Sequence, residues 1–274
     1  HYTRQPVALW PDGRRDRDGV YSGSALWADG TLFLYYTGNV RHHGEYDYIH
    51  AGREQNVLRA ESIDGVHFAG KRLLLTNDDF PAWVTQHVRD PQVVPAGDKL
   101  LMILGARTQA DEGCALVYES TDGLHFRHKN TLCTPAPFGY MWECPNLISM
   151  LDHSDGRTYD VLVYCPQGLA QQDEHYVSYD QCGYIVGRLE GSTFHVTRGF
   201  TELDYGFEFY APQLLSTGDD AITIGWMGLP AQDDNPTVDA EGWVHALTLP
   251  RRTTLHNGVL HQVPLFPLPD KPQT

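Results

Sequence analysis

Arg89-Asp90-Pro91-Gln92-Val93-Val94-Pro95-Ala96-Gly97-Asp98-Lys99-Leu100-Leu101-Met102-Ile103-Leu104-Gly105 is the stretch that decides the fold. A polar junction with a proline leads into a short apolar run. Gly97-Asp98 turns the chain into a second, nearly unbroken apolar run, and Gly105 closes it. Asp-Gly and Gly-Asp steps between apolar runs signal a hairpin. A run such as Leu100 to Leu104, with no polar alternation, predicts a strand covered on both faces.

The same unit stands at three other places. Upstream it reads Ser22-Gly23-Ser24-Ala25-Leu26-Trp27, a turn at Asp29-Gly30, then Leu32 to Gly38. Downstream it reads Glu143-Cys144-Pro145-Asn146-Leu147-Ile148, a longer turn through Asp155-Gly156, then Val161 to Tyr164. The last copy is Tyr210-Ala211-Pro212-Gln213-Leu214-Leu215, a turn at Gly218-Asp219, then Ile222 to Trp226. A second element recurs between these hairpins: Ser62-Ile63-Asp64-Gly65-Val66-His67-Phe68 is echoed by Ser120-Thr121-Asp122-Gly123-Leu124-His125-Phe126, and more weakly by Gly191 to His195. Each predicts an outer hairpin turn.

Long amphipathic helical periods are absent, so the class is all-β. A small antiparallel sheet cannot bury both faces alone, but a ring of such sheets can. The expectation is a β-propeller over residues 1–263, with a Pro-rich tail or linker at 264–274. A β-sandwich is the rival fold, but it does not explain a long-period repeat. In a propeller the innermost strands converge, so Ser22, Asp90, Glu143 and the neighbourhood of Tyr210 would crowd one funnel. Gln232 to Pro236 reads as a loop, Val244 to Arg251 as a last strand, and Asn257-Gly258 as a hairpin turn.

The net charge of −15 disfavours a nucleic-acid or anionic-membrane partner. A phosphorylated substrate would need a local basic pocket against that field. Arg41, His42, His43 and Arg53 are the cations that could meet a phosphate, and exposed loop charge is the simpler reading. No apolar run is long enough to span a bilayer, and no signal peptide is evident. Five scattered cysteines without a Cys-x-x-Cys pair fit a reducing compartment, so the expected location is cytoplasmic. The chain opens on His1, so the expected natural start lies elsewhere. Oligomeric state is not legible.

Asp90 and Glu143, two acids from different repeats at one funnel mouth, point to glycoside hydrolysis, which needs a proton donor and a second carboxylate. Glu143 sits between Trp142 and Cys144-Pro145, ahead of an apolar run. An apolar surround would raise its pKa and suit a general acid. Arg89 beside Asp90 reads as an ion pair that keeps Asp90 ionised. Tyr21, Tyr140, Trp142, Tyr210 and Trp226 could offer a sugar its stacking faces, although any single one is more simply core. No phosphate-cradling loop precedes a helix, and no Gly-x-Ser-x-Gly elbow is present. The adjacent His42-His43 pair and the lack of His-x-x-x-His spacing argue against a metal. No cofactor is expected; the partner is a small sugar.

These junctions resemble glycoside hydrolase family 32, the invertase and sucrose-6-phosphate hydrolase group. Tyr21-Ser22-Gly23-Ser24-Ala25 is similar to its Phe-Ser-Gly-Ser block, and Arg89-Asp90-Pro91 and Glu143-Cys144-Pro145 match two more. Phe209-Tyr210-Ala211-Pro212-Gln213, Gly225-Trp226-Met227 and Leu247-Thr248-Leu249-Pro250-Arg251 follow in family order. The resemblance implies a five-bladed propeller with its first blade incomplete, its C-terminal β-sandwich absent, and retaining cleavage of β-fructofuranosides. Glu143 would be the general acid/base, and Asp90 would hold fructose hydroxyls and stabilise the transition state. Tyr21, Ser22 and Arg89 would line the fructose pocket, with Cys144 beside the acid, Glu208 on the pocket wall, and Tyr210 and Trp226 completing it.

The family's nucleophile is the Asp of an Asn-Asp-Pro-Asn-Gly block, which this sequence does not contain. Asp234-Asn235-Pro236 has similar letters but follows the last repeat, so the role is not transferred. Other departures are Tyr21 for Phe, Asn146 and Glu208 for Asp, and Arg252 for Glu. The chain alone is therefore expected to be inactive. A non-catalytic fructoside-binding propeller and a fructosyltransferase are the alternatives to a hydrolase of sucrose or sucrose 6-phosphate.

Overall fold

The computed structural model describes residues 3–134, 136–170, 180–190, 193–206, 208–230, 232 and 234–266. Among them the structure is all-β apart from a single 3₁₀ turn and one short helix, α1 (Pro236–Glu241). Strands β1 (Val20–Ala28), β2 (Thr31–Arg41), β3 (Arg53–Ser62) and β4 (Ala69–Leu75) form one antiparallel sheet in chain order. Strands β5 (Val84–Ala96), β6 (Lys99–Thr108), β7 (Gly113–Ser120) and β8 (Arg127–Leu132) form a second in the same way.

A larger sheet takes the rest. It contains β9 (Met141–Asp152), β10 (Arg157–Gln167), β11 (Gly183–Glu190), β12 (Thr193–Glu202), β13 (Tyr210–Ser216), β14 (Ala221–Met227), β15 (Ala246–Leu247), β16 (Arg251–His256) and β17 (Val259–Pro264). Its path runs β12-β11-β10-β9-β16-β14-β13, with β15 on β14 and β17 on β16. The four repeats read from the sequence are the hairpins β1–β2, β5–β6, β9–β10 and β13–β14. The predicted last strand is broken instead. Ala246 and Leu247 pair with β14, Thr248 gives its N–H to the Gly225 carbonyl at 2.9 Å, and continuous pairing resumes at Arg251 beyond Pro250, which has no N–H to give a ladder. The third outer-turn echo, at Gly191 to His195, lies partly outside the described residues, as does the tail beyond Phe266.

The chain divides into two compact units. One comprises the chain up to Pro145 together with Pro166–Gly168; the other holds Asn146–Cys165 and most of the chain beyond Gly168. In the first unit one apolar cluster draws on both four-stranded sheets. It includes Tyr35, Val57, Val88, Met102, Leu104, Leu116, Tyr118 and Phe126. Tyr35 meets Phe126 edge to face at 6.3 Å. Of the run Leu100 to Leu104, predicted to be covered on both faces, Met102, Ile103 and Leu104 are fully buried while Leu100 and Leu101 are half-buried; Val161, Leu162 and Val163 of the second unit are fully buried.

The two matching outer turns are built alike. Ser62 Oγ accepts the Gly65 N–H at 2.9 Å, and Ser120 Oγ accepts the Gly123 N–H at 3.0 Å. His67 and His125 each place Nδ1 at 2.7 Å from Asp64 and Asp122. Those bonds, led by the histidine, hold both carboxyls well below the usual carboxylate range.

The junctions share a backbone device. Pairing shifts register between Tyr21 and Gly23, between Arg89 and Gln92, and between Tyr210 and Gln213. Asp90, Cys144 and Ala211 are left-handed, at φ 63°, 47° and 47°, and each precedes a proline. A non-glycine residue there costs roughly 1–3 kcal/mol, and such a bulge re-aims the side chains beside it. Neighbouring copies are also latched. Ser24 Oγ accepts the Val93 N–H at 2.9 Å in the first unit. In the second, Asn146 Oδ1 accepts the Leu214 N–H at 3.2 Å, while its Nδ2 donates to the Pro212 carbonyl at 3.1 Å. Asn146, a departure from the usual Asp, thus uses its amide as donor and acceptor at once.

Candidate active site

The first unit brings Arg89, Asp90, Glu143 and Cys144 together. Arg89 donates from Nε (3.1 Å) and Nη2 (2.7 Å) to Glu143 Oε1. Gln167 Nε2 donates to the other oxygen, Oε2, at 2.6 Å. Glu143 keeps 15% of its side chain exposed and Arg89 9%, so the pair is largely desolvated yet reachable.

The Asp90 backbone is fixed from the neighbouring sheet, its N–H donating to Thr37 Oγ1 at 2.9 Å. Its carboxylate Oδ2 accepts the Cys144 N–H at 2.9 Å, with Cys144 Sγ at 3.6 Å. Its Oδ1 has no hydrogen bond among the described residues. Burial pushes the Asp90 carboxyl up; Arg89 opposes that, and Glu143 adds to it. Burial alone would pull Arg89 down, but Glu143 and Asp90 outweigh it and raise its pKa.

Two expectations are corrected by this geometry. The surround of Glu143 is polar, made by a guanidinium and an amide, rather than apolar. Arg89 gives its N–H groups to Glu143 rather than to its sequence neighbour Asp90, on which it acts through its charge alone. Trp142 is fully buried, with Nε1 donating to the Phe138 carbonyl at 2.7 Å, so it is core. Tyr140 lies under the Arg107 guanidinium at 4.5 Å. Tyr21 and Ser22 are exposed at the head of β1.

Gln167 was not singled out by its sequence. It ends β10, and its carbonyl accepts the Tyr140 N–H at 2.9 Å, which brings the end of one strand beside the start of another. The only sequence signal is its place before Gly168, whose left-handed φ of 82° closes that repeat.

The second unit carries the remaining predicted residues. Tyr210 is buried and meets Trp226 edge to face at 6.5 Å, and Trp226 in turn meets His245 at 4.8 Å. Glu208 is exposed and accepts from Gln232 Nε2 at 3.1 Å. No cluster that could hold a metal occurs among the described residues.

Beside Arg89, His87 has its Nε2 between Arg53 Nη1 (3.0 Å) and the Tyr48 carbonyl (3.1 Å). Burial, then the charges of Arg89, Arg53 and Arg107, lower its pKa to about 3 from the usual 6.5. The unfolded chain therefore takes up this proton first. The stability His87 contributes is complete above about pH 6.5 and falls as the pH drops towards about 3. Denaturant unfolding at a series of pH values should show His87→Gln flattening the acid side of the curve. An unchanged slope would contradict this assignment.

A family model described as the glycosyl hydrolases family 32 N-terminal domain matches residues 1–264. A probable sucrose-6-phosphate hydrolase of Psychromonas ingrahamii is 39% identical over 95% of this chain and 46% of its own length. The sucrose-6-phosphate hydrolase of Bacillus subtilis is 38% identical over 97% of this chain and 56% of its own. Among solved structures, the sucrose-6-phosphate hydrolase of Lactobacillus gasseri matches with a TM-score of 0.80 and 31% identity, over 94% of this chain and 51% of that one. A Bombyx mori family 32 β-fructofuranosidase, solved as a mutant with sucrose, matches with a TM-score of 0.79 and 27% identity, over 95% and 53%. The chain spans about half the length of these relatives. Its repeated hairpins are those of an all-β propeller fold, and the chain belongs to glycosyl hydrolase family 32 as an N-terminal domain.

Proposed function

We propose that this chain forms most of the catalytic propeller of a β-fructofuranosidase that cleaves sucrose or sucrose 6-phosphate with retention. The observation that carries the reading is the Arg89–Glu143–Gln167 clamp, one residue from the Cys144 N–H that holds Asp90. Arg89 holds one oxygen of Glu143 and Gln167 the other, which fixes the direction of its carboxyl group.

The protonated Glu143 carboxyl gives its proton to the glycosidic oxygen as the bond from that oxygen to the fructosyl anomeric carbon breaks. A nucleophilic carboxylate takes the anomeric carbon and forms an ester. The Glu143 carboxylate then accepts a proton from the water that displaces that ester, releasing fructose and restoring the acid. Asp90 binds fructose hydroxyls and stabilises the positive charge that develops on the ring. Tyr21, Ser22 and Arg89 line the sugar site. The attacking Asp belongs to the Asn-Asp-Pro-Asn-Gly block that the sequence does not contain.

Incubating the 274-residue chain with sucrose and assaying fructose should show no turnover. Joining it to a segment that carries the block should bring turnover within the usual range of about 1–10³ s⁻¹. Ordinary rates from the chain alone would refute the two-carboxylate account. Failure of the joined protein, with sugar binding retained, would favour the non-catalytic fructoside-binding reading.

A further inference from the structure

The face of β2 and β3 that holds Asp90 through Thr37 carries an arrangement the hydrolytic chemistry does not use. Arg41 and Arg53 are directly opposite each other across these strands. Like charges so placed repel. Neither forms an ion pair among the described residues. Glu54, next to Arg53 in the chain, is engaged by Arg15 at 3.0 Å and His42 at 3.1 Å. Arg41 is exposed and lies over the Tyr48 ring at 4.5 Å, which orients its guanidinium without neutralising it. Behind the pair, His87 Nε2 faces both Arg53 Nη1 and the Tyr48 carbonyl and can satisfy only one of them.

Arg53 Nε, His87 Nδ1 and Arg89 Nη1 are buried with no hydrogen-bond partner. Arg89 and Arg41 lie close enough to Arg53 to help burial lower its pKa. Arg41 and Arg53, two guanidinium groups with no ion pair among the described residues, are the local basic pocket that a phosphorylated ligand would need in a chain of net charge −15. Two planar guanidinium groups suit the oxygens of a phosphomonoester, whose charge of about −1.5 to −2 matches theirs better than a single carboxylate does.

We propose that Arg41 and Arg53, backed by His87, seat the phosphate of a phosphorylated sugar. The inference rests on the β-fructofuranosidase reading and selects the phosphorylated substrate within it. Arg89 ties the two places together, since its other N–H groups hold Glu143. A phosphate on the leaving sugar would lie against the arginine pair while Glu143 protonates the bond to be broken.

Calorimetric titration of the chain with glucose 6-phosphate, glucose and inorganic phosphate at low salt tests this without turnover. Glucose 6-phosphate should bind more tightly than either of the others. Arg53→Gln and Arg41→Gln should each weaken it at least about tenfold, because each removes a charged pair with phosphate. Arg72→Gln, a change at an exposed arginine of β4, should leave it unchanged. Arg41 is exposed, so its variant reports on binding even if Arg53→Gln fails to fold. Glucose 6-phosphate bound no better than glucose, or no better than inorganic phosphate, would overturn the proposal, as would wild-type binding by Arg41→Gln. In an active enzyme, an unchanged preference for sucrose 6-phosphate over sucrose in Arg53→Gln would overturn it while leaving the hydrolase reading intact.

Discussion

Glu143→Gln, introduced into an enzyme that unites this chain with its nucleophile block, should lower kcat on sucrose by about 10²–10⁴-fold with KM changed little. The amide has nearly the shape of the carboxyl group and can still accept the Arg89 N–H at one end. It cannot pass a proton to the departing oxygen, nor take one from water in the second step. Because both steps use the same group, neither is spared. Thermal unfolding should show a folded variant, which separates lost chemistry from lost structure. A loss under about tenfold would mean that another group supplies the proton.

Arg89→Met should destabilise the chain by about 3–5 kcal/mol in denaturant unfolding, the usual result of stripping a buried charge of its partner. Arg89 and Glu143 are only 9% and 15% exposed, and two of the arginine's N–H groups converge on one carboxylate oxygen. Removing the guanidinium takes two N–H donors from Glu143, beside an Asp90 whose carboxyl burial already pushes up. The double variant Arg89→Met/Glu143→Gln should recover part of the loss, since a neutral amide asks less of its surroundings. A cost below about 1 kcal/mol, typical of a surface pair, would show that solvent screens the contact.

Much of this arrangement is legible in the amino-acid order, and the exceptions share a cause. The hairpins can be read because each carries its own punctuation: Asp29-Gly30 and Asn257-Gly258 supply the positive φ values that two-residue turns require. Asp90 and Glu143 can be read as site residues because they lead equivalent strands. Which partner each takes cannot be read, because that is settled at the bulges. Asp90 and Cys144 adopt left-handed φ just before proline, and the turn this forces gives Arg89 to Glu143 and Asp90 to the Cys144 N–H. Gln167 escapes notice for a related reason. It is far from Glu143 in the chain, and only the pairing of Tyr140 with Gln167 brings its amide into reach. The Arg41–Arg53 pair likewise reads as loop charge until the register of β2 on β3 sets the two side by side.

Glu143→Ala in the active, united enzyme, assayed with and without azide, tests the central claim most directly. With the acid/base removed, water attacks the fructosyl ester slowly, whereas azide needs no proton taken from it. If Glu143 holds that role, azide restores turnover on an activated aryl fructoside and yields a fructosyl azide of retained configuration. If azide leaves the rate unchanged, or if Glu143→Ala turns over sucrose like the parent, Glu143 is not the group that moves the proton.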